Sequence, residues 1–178
     1  MNKYGLVGKK LGHSLSPEIH NYIFDKLGVE AEYSLYEIED GKDILKLMEE
    51  KGIKGFNITI PYKEIVMSQL DFISEEAEKI GAVNLVKIKN GESYGYNSDY
   101  YGVIEMLEKH DVKVKEKICY VLGSGGASKS VIVALHDLGA KEIVVVTRDV
   151  ESKRRELKNR FRNIEVVSYE NIIGGDIV

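Results

Sequence analysis

Lys63 stands two residues after Pro61, at the end of the run Asn57-Ile58-Thr59-Ile60-Pro61-Tyr62-Lys63. The β-branched Ile58, Thr59 and Ile60 in succession predict a buried strand. Pro61, which has no N–H for a sheet ladder, stops it. An abruptly ended strand with an amine at its tip holds a reactive group on a rigid element. The bland alternative is a solvated lysine, the commoner fate of that residue type. Three further clusters carry small polar groups beside glycine, proline or strand ends: Ser14-Leu15-Ser16-Pro17, Gly81-Ala82-Val83-Asn84 and Asn97-Ser98-Asp99. Each has a structural reading as well. Ser16 is a good helix N-cap, Asn84 satisfies a loop backbone, and Asp99 caps a helix beginning at Tyr100. Their joint occurrence ahead of a glycine-rich turn favours chemistry.

That turn is Gly123-Ser124-Gly125-Gly126-Ala127, set between the apolar strand Ile118-Cys119-Tyr120-Val121-Leu122 and an apolar helix closing on Gly139. Missing β-carbons let a backbone turn tightly and approach a pyrophosphate, and the following helix N-terminus supplies unpaired N–H donors. Ser128 replaces the third glycine of the usual G-x-G-x-x-G, so the βαβ context carries much of the weight. Cofactor choice is read at the tip of the next strand, where Ile143-Val144-Val145-Val146 runs into Thr147-Arg148-Asp149. Arginine there pairs with the 2′-phosphate of NADP, whereas an acidic residue favours the ribose hydroxyls of NAD. Arg148 comes first, so NADP is expected and NAD is the less favoured choice.

The elements that must position these groups alternate. Before residue 100 the pattern gives a strand at Leu6-Val7, a helix from Ser16-Pro17 to Gly28, a strand from Tyr33 to Ile38 and a helix around Ile44 to Met48. It continues with the Ile58 strand, a helix containing Ala77 and Ile80, and two strands flanking Lys89-Asn90-Gly91, a hairpin signal. This predicts an α/β fold with a mostly parallel sheet over residues 1–100. Residues 101–178 predict a Rossmann-like domain: a helix to His110, the strand and turn above, a charged helix from Glu151 to Phe161, a strand from Ile164 to Val167, and a last strand starting at Asp176-Ile177-Val178. A strand that begins on the final residues suggests that the domain is incomplete at its C-terminus.

The 178 residues are 43% hydrophobic and 30% charged, the composition of a folded chain. A net charge of -4 offers no excess cation for nucleic acid. No apolar run approaches the ~20 residues of a membrane span. The single Cys119 and four scattered histidines give neither a disulfide framework nor a metal site. A cytoplasmic chain with a small-molecule partner, as monomer or homodimer, is expected.

The segments Gly12-His13-Ser14-Leu15-Ser16-Pro17-Glu18-Ile19-His20, Asn57 to Lys63, Gly81 to Asn84, Gly95-Tyr96-Asn97-Ser98-Asp99 and Gly123 to Ser128, in this order, resemble the shikimate dehydrogenase family. The resemblance implies an N-terminal substrate domain, a Rossmann-like NADP domain and a cleft between them. It also implies reversible reduction of 3-dehydroshikimate to shikimate by NADPH. Ser14 and Ser16 would hold the substrate carboxylate, and Thr59, Asn84 and Asp99 the ring hydroxyls. Lys63 and Asp99 would be the catalytic pair, and Gly123, Ser124, Gly125, Gly126, Ala127, Thr147, Arg148 and Lys153 the cofactor residues. The family usually carries Asn-Arg-Thr where this chain has Thr147-Arg148-Asp149, with Lys153 as its nearby basic residue. It also continues well beyond Val178, through the nicotinamide side and a helix bearing a substrate-binding glutamine. A quinate/shikimate dehydrogenase, or a fragment that binds without turnover, are the alternatives.

Overall fold

In the computed structural model, which describes residues 1–177, strand β1 (Asn2–Gly8) opens the first of two units, Met1–Ser98 and Asp99–Val178. Helix α1 (Ser16–Leu27) takes Pro17 in its first turn, where the missing N–H has no intrahelical acceptor to lose. It stops at Gly28, whose φ of 64° lets Val29 N–H return to the Phe24 carbonyl at 2.9 Å. Next come β2 (Ala31–Glu37), α2 (Ile44–Glu50), β3 (Ile53–Ile58), a 3₁₀ turn, β4 (Phe72–Ile73), α3 (Glu75–Ile80), β5 (Leu85–Lys89) and β6 (Glu92–Tyr96). The hairpin joining β5 to β6 turns on Asn90 and Gly91, both at positive φ.

These strands form one sheet in the order β2-β1-β3-β5-β6-β4. β1 runs parallel to β2 and β3, while the hairpin strand β5 is antiparallel to both its neighbours. One face buries Val7, Phe56, Ile58, Val83 and Val86 against Ile44 and Met48 of α2 and Val66. Side chains of this kind contribute about 1.5–3 kcal/mol each when fully buried. That core holds the strand ends, and hence the site, in register.

The expected strand through Ile60 is shorter in the structure. β3 ends at Ile58, and Ile60 is 75% exposed. Thr59 N–H still bonds the Val7 carbonyl, but its own carbonyl accepts from Tyr62 N–H in a turn. The chain therefore leaves the sheet before Pro61, so the proline lies in the turn and is not the stop.

In the second unit, α4 (Ser98–Lys109) is followed by β7 (Ile118–Leu122), α5 (Gly126–Asp137), β8 (Glu142–Val146), α6 (Val150–Lys158) and β9 (Ile164–Val167). The three strands are parallel in the order β7-β8-β9. Their run Ile143-Val144-Val145-Val146 is buried on both faces, as a parallel sheet between packed layers requires. Ile177 bridges to Cys119, and Val178, the end of the expected last strand, lies outside the described residues. Among the described residues no helix is long and apolar enough to cross a membrane.

Candidate functional site

In the first unit the candidate residues gather at one edge of the sheet, beyond the C-terminal ends of the parallel strands β1 and β3. Ligands bind at that edge in open α/β sheets. Thr59 follows β3 directly, and a β-carbon at Gly8, the last residue of β1, would come within 2.6 Å of the Thr59 methyl. Gly8 thus seats the methyl and fixes how the threonine stands. Lys63 is half-buried and lies in the turn after Thr59. Its carbonyl accepts from Val83 N–H at 2.9 Å, and the preceding Tyr62, 2% exposed, donates its hydroxyl to the Ile38 carbonyl at 2.7 Å. Buried anchors on both sides hold the backbone that carries the lysine.

Asn84 arrives from the other direction, just before β5. Its carbonyl accepts from Ile58 N–H at 2.9 Å and from the side chain of Asn57 at 3.4 Å. Asn57 in turn accepts the Tyr33 hydroxyl at 2.8 Å. Burial pushes the Tyr33 phenol up to about 12, so it stays a neutral donor. The His20 ring stacks on Tyr33 with centroids 4.2 Å apart, and burial lowers the imidazole pKa.

Ser14 and Ser16 meet side to side. The Ser14 hydroxyl donates to Ser16 Oγ at 3.0 Å and accepts from Ser16 N–H at 3.2 Å. The expectation that Ser16 caps α1 is corrected here. Leu15 is the cap position, no side chain caps the helix, and Ser16 is already helical. The Ser16 hydroxyl, accepting from Ser14, therefore keeps its own hydrogen at a positive helix end, which suits a carboxylate. Asp99 is corrected similarly, because α4 begins at Ser98 and places Asp99 within its first turn rather than at its cap. By the division of the chain, Lys63 belongs to the first unit and Asp99 to the second.

A groove of about 560 Å³ also opens in the first unit, lined by Tyr4, His20, Phe24, Tyr33, Asn57 and Tyr96 among others. Neither serine, nor Thr59, Lys63 or Asn84, lines it. Hydroxyls and an amine matter more for this chemistry than concave apolar volume, so the strand-end cluster is the candidate site.

In the second unit the glycine turn is shaped from within. Gly123 adopts a φ of 106°, open to glycine alone at little cost, and its N–H bonds the Val146 carbonyl at 2.9 Å. The hydroxyls of Ser124 and Thr147 lie 2.8 Å apart and tie the tips of β7 and β8 together. Those two candidates thus shape the turn. Gly125 caps α5, and β-carbons at Gly125 and Gly126 would meet nothing within 4 Å. Their small size serves no internal packing, and Ala127 continues the same exposed surface. An open backbone surface at a helix N-terminus fits a dinucleotide phosphate.

At the tip of β8, Arg148 is exposed. The Asp149 carboxylate accepts from Ser152 N–H at 3.3 Å and so caps α6. Lys153 pairs with Glu156 at 2.6 Å, and Lys129 of α5 reaches the other carboxylate oxygen at 3.2 Å. The Lys153 hydrogen bond, the larger cause, and Lys129 together hold the Glu156 carboxyl below its usual range against the opposing effect of burial.

Sequence reasoning missed Gly8, Tyr62 and Ser98 as supports. The only sequence signals were a glycine at a strand end and neighbours inside motifs already singled out.

Comparison with known proteins identifies relatives of this chain in sequence and in fold. The family model for the shikimate dehydrogenase substrate binding domain matches residues 6–86. An NADP(+) shikimate dehydrogenase from Clostridium perfringens is 48% identical over 171 residues, which make up 95% of this chain and 62% of that protein. One from Clostridium botulinum is 35% identical over 98% of this chain and 68% of its own length. A crystal structure of shikimate 5-dehydrogenase from Thermus thermophilus, in complex with NADP(H) and shikimate, superposes with a TM-score of 0.82 at 33% identity, covering 94% of this chain and 63% of that one. The chain thus spans 62% of the length of the C. perfringens relative. On these matches and the strand-end site, the chain belongs to the shikimate dehydrogenase family.

Proposed function

We propose that the chain carries the substrate-holding site and the nucleotide turn of an NADP-dependent shikimate dehydrogenase. The observation that carries this reading is the gathering of Thr59, Lys63 and Asn84 at the edge of the sheet where β1 and β3 end. Ser14 and Ser16 hold the substrate carboxylate with hydroxyl donors at the positive end of α1. Thr59 and Asn84 hold ring hydroxyls.

NADPH, when bound along Gly123 to Ala127 with its 2′-phosphate at Arg148, supplies the hydride. Hydride arrival at the C3 ketone of 3-dehydroshikimate makes an alkoxide. The Lys63 ammonium stabilises that charge and hands over a proton from Nζ. Asp99, as the partner carboxylate, orients the ammonium. In the reverse direction the same amine takes the C3 hydroxyl proton. The capping role of Asp149 supports NADP over NAD, because its carboxylate is already engaged by a backbone N–H. Lys153 adds positive charge near the same strand tip. The reading puts the chain in the cytoplasm with its cofactor pool, as a monomer or homodimer.

The test mixes the chain with shikimate or quinate and NADP or NAD, following reduced nicotinamide, with shikimate affinity measured separately by calorimetry. Shikimate with NADP is expected to be the best pair. Lys63→Ala should lose about 10³-fold in turnover, within the range for a positioned acid–base group, while shikimate affinity moves by only about threefold. Equal turnover in the two proteins would overturn the catalytic assignment. Shikimate binding without any turnover would assign the chain to binding alone, and preference for quinate would replace the substrate.

A further inference from the structure

We infer that Ser98 makes Asn84 a donor-only contact, so that the substrate oxygen facing Asn84 must accept a hydrogen bond. This rests on the reading that Asn84 faces the substrate. Asn84 is 6% exposed, and its side-chain oxygen accepts from Ser98 N–H at 2.8 Å and from the Ser98 hydroxyl at 3.1 Å. A backbone N–H only donates, so this contact by itself decides which end of the amide is oxygen. Both favourable directions at that oxygen are then engaged. Neither hydrogen of the side-chain nitrogen is engaged among the described residues, and no buried side-chain nitrogen or oxygen lacks a partner among them. The nitrogen therefore retains contact with solvent at the strand-end edge, where a ligand would meet it.

The backbone of Asn84 is fixed equally well. Its N–H donates to the Tyr96 carbonyl at 3.0 Å and its carbonyl accepts from Ile58 N–H. With both main-chain groups and the side-chain oxygen held, the amide has little freedom to flip. A ring hydroxyl bound there uses a lone pair on Asn84 and keeps its own hydrogen for another acceptor. Ser98 touches no substrate in this scheme. It is a positioning residue that sets the polarity of the contact.

The experiment uses the 178-residue chain and shikimate, by calorimetry, with Asn84→Asp, Ser98→Ala, Ser98→Thr and the double variant Asn84→Asp/Ser98→Ala. Asn84→Asp keeps an acceptor for Ser98 but removes the donor, and should weaken shikimate about thirtyfold or more. Ser98→Ala should weaken it about threefold, and Ser98→Thr, which retains the hydroxyl, should bind as the wild type does. In Asn84→Asp the two oxygens are equivalent, so orientation no longer matters and adding Ser98→Ala should change nothing. Full additivity would make Ser98 merely structural, and Asn84→Asp binding within about twofold of wild type would overturn the donor role.

Amide exchange checks the orientation without any ligand. The Ser98 N–H should be protected in wild type and in Asn84→Asp, and should exchange faster in Asn84→Ala. Equal exchange in all three overturns the proposal while leaving the functional reading in place. Failure of the wild-type chain to bind shikimate overturns the functional reading, and the donor assignment with it.

Discussion

The two candidate sites are built in opposite ways. The strand-end site of the first unit depends on what particular side chains present, and backbone bonds to Val7, Ile58 and Tyr96 of the neighbouring strands hold Thr59 and Asn84. The turn in the second unit depends on side chains that are missing. Its hydroxyls, Ser124 and Thr147, face each other at 2.8 Å, and its functional surface is bare backbone around Gly125 and Gly126. One site therefore fails when a side chain is removed, the other when one is added.

The sharpest way to break this contrast after Lys63→Ala is Gly125→Val. The φ of -77° and ψ of -172° at Gly125 suit any residue, and an added β-carbon meets nothing within 4 Å. The fold should survive, with a melting temperature close to wild type. Nucleotide phosphates should lose one charge-assisted hydrogen bond, worth about 1.5–3 kcal/mol, so NADP affinity should fall roughly tenfold to a hundredfold. Shikimate affinity should not move. If NADP binds Gly125→Val normally by fluorescence titration, the bare backbone is not the phosphate surface.

Arg148→Ala is the smaller effect in the same unit, and it tests an exposed side chain in place of bare backbone. NADP should weaken about tenfold, the order of one charge-assisted contact, and NAD by less than about twofold. Equal losses for both cofactors would mean that Arg148 stacks on the adenine and does not read the 2′-phosphate.

The contrast also explains what was legible in the sequence. Side-chain chemistry announces itself: Ser14, Ser16, Thr59, Lys63 and Asn84 stood out by type and by neighbours. Their supports did not. Gly8 acts through a seat for the Thr59 methyl, and Ser98 through an amide oxygen fourteen residues away, pairings that only strand register creates. Helix ends were legible where Gly28 and Gly139 supplied a positive φ. The exact starts were not. Ser16 and Asp99 have the chemistry of a cap, but Ser14 competes for one serine and the helix starts two residues early at the other. β-branching at Thr59 and Ile60 argued for more strand, yet Ile60 has no core to enter and the turn bond from Tyr62 N–H wins. In the second unit, the glycine cluster between a strand and a helix announced the turn. Asp149 caps α6 through a local bond from Ser152 N–H, whereas the sharing of Glu156 by Lys153 and Lys129 depends on how α5 and α6 pack.

The smallest predicted effect concerns acid, where the two units should fail in different windows. In the first unit burial lowers the His20 pKa from 6.5, so the folded state resists a proton that the unfolded chain accepts. Stability there is full above pH 6.5 and falls as pH drops from 6.5 toward the folded value. In the second unit the lowered Glu156 pKa has the opposite chemistry. The folded state favours the carboxylate, so the bridge contributes fully above pH 4.5 and is lost as pH falls through the folded value. With Lys129 18% and Glu156 30% exposed, the bridge is partly open to solvent. Its contribution should be about 0.5 kcal/mol, typical of such pairs. Amide exchange resolved by residue can follow each window separately. His20→Phe should flatten the upper window around Tyr33 without touching α5 and α6. Glu156→Gln should flatten the lower window in α5 and α6 and leave the Tyr33 region alone. If one substitution flattens both windows, the units do not respond independently and the contrast between them fails at the level of stability.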